Sequence, residues 1–365
     1  MPRTTGIPIR GRAGVGAACL ALLVALPGIA APAYTAVRLQ SPEGAPLAAS
    51  ALNDAGEITG SVYDADLRGA VAFVARPPDV FRRLAGQERV VGRGMAINQH
   101  GDVAGEIVDY GGWQPIRRAA LGRAAGPTVA LFPGSPAESS VARGVNDAGV
   151  VVGAVLRERR GRPPLGVAFA WRDGRATLLG PAGGRGSVAN AVNAAGTVVG
   201  SAELEGGRGA QRAVAWSHGE TIDLGSAWPG GESSANAINA LGWIAGETAA
   251  DARGTRHACL WRDGLVRDLG TLGGAWSSAS AIDDRGRVVG QSATGEGRAA
   301  FVWDGAGMRD LNSLVEGLPA GEHLLAALAI NDAGEILARG DGPDGTAWHY
   351  LLRPRPPGTA PSSRD

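Results

Sequence analysis

The chain has 365 residues, 35 basic and 35 acidic, so its formal net charge is zero. That balance provides no global field to steer the protein towards nucleic acid or an anionic membrane. The 58 glycines follow no collagen period, and Phe, Tyr and Met are scarce, which fits many short strands joined by turns.

Residues 1–33 carry the pattern of a secretory signal peptide. Arg3, Arg10 and Arg12 make a positive start, "AGVGAACLALLVAL" a short apolar core, and Ala31 and Ala33 offer small-residue cleavage positions. Cleavage after Ala33 is favoured, because cleavage after Ala31 would leave Pro32 at the new terminus. The apolar run is too short for a good spanning helix, and Cys19 belongs to the removed segment. The mature chain then keeps one cysteine, Cys259, which reads as a small buried hydrophobe in a packing slot.

From residue 34 onwards the chain is repetitive. Asn-x-x-Gly recurs at Asn53, Asn98, Asn146, Asn193, Asn239 and Asn331, with Asp283 as a close variant, at spacings of 45, 48, 47, 46, 44 and 48 residues. Before each anchor lies a strand-like segment. The residue just before the anchor is aliphatic, and those two and four before it are always Ala or Gly, a period of two. The anchor itself reads as a tight hairpin with Gly in the positive-φ position, leading into a second strand of the type "GTVVG". A polar, variable loop follows.

The third strand is apolar on both faces and carries Trp171, Trp216, Trp261 and Trp303, with Tyr350 placed in that slot in the last copy. The tryptophans read as core. The fourth strand ends in Leu84, Leu131, Leu179, Leu224, Leu269 or Leu311. Those are six, and the seventh copy of this strand is found at the other end of the chain: "YTAVRL" at 34–39 precedes the first of them by one repeat. Gly-rich bends such as "GTLGGAWSS" link a fourth strand to the next first strand.

Seven units of four strands, about 45 residues each, predict an all-β fold: a seven-bladed β-propeller of four-stranded antiparallel blades. The ring is expected to span 34–353, closed by residues 34–39 beside the strand near 346–351, with a disordered Pro-rich tail at 354–365. The small-residue strand is expected innermost.

The stretch "HACLWRDGLVRDLGTLGGAWSSASAIDDRGRVVGQS" resembles the HAF-repeat family of bacterial extracellular proteins, whose pattern joins His-Ala-Phe, Trp, Asp-Leu-Gly-x-Leu-Gly-Gly, Ser-x-Ala-x-x-Ile-Asn and Gly-x-Val-Val-Gly. The similarity extends, weakening, over 45–352. Full His-Ala-Phe never occurs, Cys259 replaces Phe in the best copy, and the second copy, "IRRAALGRAAG", has lost its aromatics. The resemblance implies secretion and repeats, and no particular activity.

The functional expectation is a secreted or periplasmic, non-catalytic binding or scaffold module. It would act through a loop face, as a monomer, on a glycan or protein ligand, without nucleic acid and without stable membrane insertion. Candidate ligand-binding residues are Trp113, Trp228 and Trp276 in connecting segments, and Arg143, Asn190 and Asn236 in one slot of the inner strand, facing a channel mouth. The alternative is a propeller-based glycan hydrolase or lyase. It would need converging carboxylates or a His-based constellation, and the five His fall at unequal repeat positions. No cofactor and no metal site are expected.

Overall fold

The computed structural model describes residues 33–44, 47–64, 69–78, 80–84, 91–109, 115–124, 126–132, 139–159, 162–180, 186–204 and 209–356. Residues 1–32, which hold all but the last residue of the expected signal peptide, the tail from residue 357 and Trp113 lie outside them. The described chain forms seven antiparallel blades, with strands in sequence order from the axis outwards in the first six. Blade 4 is representative, with strands Ser187–Val192, Val198–Glu203, Gln211–Ser217 and Glu220–Asp223. Inner strands touch those of the blades on either side, including Leu47–Leu52 of blade 1 against His323–Ile330 of blade 7, so the ring is closed.

The last blade holds the closure. Tyr34–Leu39 pairs antiparallel with Ala347–Pro354, from Tyr34 opposite Pro354 to Leu39 opposite His349. The partner segment therefore lies three residues further on than the 346–351 expected. The strand also runs one residue past the expected boundary at 353, and Arg355 N–H donates to the Ala33 carbonyl at 2.9 Å. A fifth strand was not foreseen: Val315–Glu316 pairs in parallel with Tyr34–Thr35 on the outside of this blade. It covers part of an edge that would otherwise be open to another chain.

The repeat pattern is explained by how closely the strands approach. The positions four before the anchor, Ala142, Ala189, Ala235, Ala279 and Ala327 among them, are fully buried where blades converge. In blades 1 to 6 the inner strand carries one register shift three residues before the anchor, as between Ala189 and Ala191. There the second strand presses against it. A Cβ on Gly200 would sit 1.9 Å from the Val188 carbonyl oxygen, and Gly60, Gly105, Gly153, Gly246 and Gly290 are as tight, at 1.9–2.1 Å. Hence the final Gly of "GTVVG". Blade 7 has Ala338 at this position and is the blade with two register shifts.

The anchors do more than turn the chain. Each hairpin Gly has φ between 74° and 85°, and each anchor side-chain oxygen accepts from the backbone N–H four residues on or nearby, as Asn193 Oδ1 does from Thr197 at 3.0 Å. The amide also reaches the next blade. Asn146 Nδ2 donates to the Asn193 carbonyl at 2.9 Å, and Asn193 Nδ2 to the Asn239 carbonyl at 3.2 Å.

The third-strand tryptophans Trp171, Trp216, Trp261 and Trp303 are core, 4–8% exposed. One slot assignment is corrected. Trp261 pairs with Ile244, and the matching partner of Ile336 is Leu352, so Leu352 fills the Trp position of blade 7. Tyr350 instead matches Cys259, facing Ala338 as Cys259 faces Gly246.

Candidate functional site

Because strands alternate in direction, one face of the ring carries all the Asn-x-x-Gly hairpins and the third-to-fourth turns. The opposite face carries the variable second-to-third loops and the bends into the next blade. Trp228 and Trp276 both lie on this variable face, in the bends leading into blades 5 and 6. They are 42% and 36% exposed. Their backbones are fixed to the second strands of those blades: Trp228 N–H donates to the Ala249 carbonyl at 3.0 Å, and the Trp276 carbonyl accepts from Ala293 N–H at 2.8 Å. Two large, stiff amphipathic surfaces therefore stand on neighbouring, well-anchored bends. On blade 5, Arg256 bridges Glu232 and Glu247.

Arg143, Asn190 and Asn236 occupy the register-shift position of consecutive inner strands; Arg143 is exposed, and Asn190 and Asn236 are half-buried. The structure brings these three into one row but gives them different work. Asn190 Nδ2 donates to the Ala235 carbonyl at 2.8 Å and Asn236 Nδ2 to the Ala279 carbonyl at 2.9 Å. These carbonyls lie on the free edge of the next inner strand, where no further strand can pair. The two amides thus bridge blades. Arg143 has no such bond. The surrounding wall lowers its pKa through desolvation, and the charge of Glu106 opposes that shift.

Most residues of the repeat motif are absorbed by architecture. His257 Nδ1 lies 2.9 Å from Asp268 Oδ2, and Asp268 Oδ1 accepts from Gly270 N–H at 2.8 Å, holding the Asp-Leu-Gly turn. Blade 4 repeats the device with Arg212 on Asp223 and Gly225 N–H on Asp223. The motif serine Ser277 accepts from Ala258 N–H at 2.8 Å and donates to the Gly270 carbonyl at 2.6 Å, tying blade 6 to blade 5. Ser233 and Ser187 do the same for the blades before. Cys259 is fully buried, and its thiol pKa is raised by burial first and then by Asp268 and Glu247. Among the described residues, no three His, Cys, Asp or Glu side chains are grouped so as to hold a metal ion.

One feature went unread in the sequence. A cavity of about 740 Å³ lies at the seam between blades 7 and 1, bounded by Leu39, Leu47, Ile58, Phe73, Ala75 and Phe81. Its signal was present: the third strand of the first copy ends "AVAFVA", with Ala75 where later copies have Trp.

No protein-family model matches the chain, and no curated protein matches it. Solved structures do. The β-propeller domain of the Trilobed protease from Pyrococcus furiosus is 14% identical, over 76% of this chain and 83% of its own, with a TM-score of 0.49. TolB from Acinetobacter baumannii is 13% identical over 82% of this chain and 66% of its own, at 0.42. A puromycin-hydrolysing peptidase from Mycobacterium tuberculosis is 14% identical over 90% of this chain and 52% of its own, at 0.43.

Proposed function

We propose that this chain is an exported, non-catalytic binding propeller of the HAF-repeat type, which engages a glycan or protein ligand through its variable face. The observation that carries this reading is the pair Trp228 and Trp276, exposed on adjacent bends whose backbones are fixed to the blades. The repeat motif is occupied with holding blades together, so recognition falls to residues outside it, and a rigid ring presenting variable loops suits recognition. Exposed tryptophan on a fixed backbone supplies stacking area for a sugar ring or an anchor for a protein contact at little entropic cost. Export rests on the N-terminal pattern of Arg3, Arg10 and Arg12 before an apolar core.

The test is a glycan and protein-partner screen on the mature chain, repeated with Trp228→Ala and Trp276→Ala. Binding that weakens in both variants while the melting curve is kept supports the reading. A ligand bound equally well by both variants removes these tryptophans from the site.

A further inference from the structure

In blades 3 to 6 the third strand ends in a tryptophan that packs against the Leu closing the outer strand of the blade before. Trp171 sits with Leu131, Trp216 with Leu179, Trp261 with Leu224 and Trp303 with Leu269. In blade 7 the fully buried Leu352 takes this position. Blades 1 and 2 have neither. Gly122 stands there in blade 2, opposite Val103. The wall has closed in: a Cβ on Gly122 would already lie 3.2 Å from Leu84, and the space left is about 20 Å³. Ala75 stands there in blade 1, opposite Ile58 and in the same cluster as Leu39 of the preceding outer strand. Here the space stays open, as the cavity of about 740 Å³.

We propose that this vacated tryptophan slot of blade 1 binds a neutral, planar aromatic small molecule of one or two rings. The shape is that of the group which fills the same slot elsewhere in the ring. One wall is aromatic: Phe81, opposite Ala75 in register, stacks on Phe73 with centroids 5.2 Å apart and planes at 18°. The size falls within the range of small-molecule pockets. The charges at the rim are already paired. Arg353 lies 3.4 Å from Glu335 and donates to the Pro77 carbonyl at 2.8 Å. Arg38 is paired with Glu322 and lies over the ring of Trp348. Among the described residues, neither of the two arginines lining the slot is left unpaired to hold an anionic ligand, which selects a neutral one. The site is separate from Trp228 and Trp276 and stands or falls independently of them.

The position has a consequence for the ring. The slot is walled by Leu39 of the closing strand on one side and by blade 1 on the other, so an occupant bridges the seam. Binding to the closed ring and not to the open chain raises the melting temperature with ligand concentration.

The experiment is a calorimetric titration of the full chain with indole, paired with melting curves, for the wild type, Ala75→Trp and Ala75→Met. The wild type is expected to bind saturably and to melt higher with indole. Ala75→Trp is expected to abolish binding and to melt higher without ligand, since it fills its own slot. Ala75→Met fills part of the same space, is a milder change for the fold, and is expected to weaken binding about tenfold or more. The proposal is overturned if the wild type binds no indole, or if both variants bind it as the wild type does. It is also overturned if cyclohexanol binds as tightly as indole, which makes the slot merely apolar. N-acetyltryptophanamide binding more tightly than indole would overturn the small-molecule assignment in favour of a peptide.

Discussion

Asn331 Nδ2 lies 3.1 Å from the carbonyl oxygen of Asn53, across the junction of blades 7 and 1. The same bond runs from Asn53 to Asn98, Asn98 to Asn146, Asn146 to Asn193, Asn193 to Asn239 and Asn239 to Asp283. The circle is interrupted once. Asp283 has no amide to donate, and its carboxylate takes Arg287 Nε at 2.6 Å instead. A residue type chosen by hairpin geometry is therefore also the staple between blades, and the junction of blades 7 and 1 carries the same staple as the others.

Replacing Asn331 by Ala removes that donor and also the acceptor that Asn331 Oδ1 offers to Glu335 N–H at 2.9 Å. The Asn53 carbonyl is left without this partner in a buried setting. The expected loss is about 1–3 kcal/mol, read by urea denaturation with an unchanged m-value. A variant as stable as the wild type would show that the staple contributes nothing.

Gly200→Ala tests the close approach of inner and second strands. The new Cβ meets the Val188 backbone oxygen at 1.9 Å, and backbone cannot step aside as a flexible side chain would. A loss of roughly 1–3 kcal/mol is expected. Gly295→Ala, at a position with no atom within 4 Å, serves as the control and should be close to neutral.

His349 gives a pH dependence of definite sign. Its pKa is lowered to about 4, by burial first and by the Arg339 charge second, against a bond to the Leu47 backbone. The unfolded chain binds this proton below about pH 6.5, the folded one only near 4. Between those values the unfolded state holds more protons, so stability falls as pH drops from 6.5 towards 4 and this contribution then levels off. The whole effect is on the order of 3 kcal/mol. His349 lies opposite Leu39 of the closing strand, so the seam feels it. His349→Leu should flatten this part of the stability–pH curve. A slope equal to that of the wild type would contradict the assignment.

Cys259 is expected to resist a thiol reagent in the folded protein and to react only on unfolding, because burial keeps it a neutral thiol. Cys259→Val should fold normally, as Val214 occupies the matching position of blade 4, facing Gly200 as Cys259 faces Gly246. Rapid labelling under native conditions would refute the burial.

The sequence shows the blades clearly because each anchor and small residue answers a constraint repeated seven times, and the tryptophan one repeated four times, and repetition separates signal from chance. Leu39 could be paired with Leu84 across one repeat for that reason. Tyr350 was misplaced because the loops between second and third strands differ in length, and only the pairing of Ile336 with Leu352 sets the register. Asn190 and Asn236 read as free channel residues because the register shift that turns their amides onto the next blade is not encoded by any one side chain. The open slot at Ala75 was legible as a missing tryptophan. That Gly122 had collapsed and Ala75 had not depends on packing across the seam.

Binding without turnover at the variable face is the claim on which the functional account rests. Its most direct test incubates the purified mature chain with the ligand found by screening and follows the ligand by mass spectrometry. The account predicts a ligand that is retained by the wild type, released by the Trp228→Ala/Trp276→Ala double variant, and recovered chemically unchanged from both. A ligand cleaved by the wild type, and spared when one carboxylate or histidine is replaced, would contradict it.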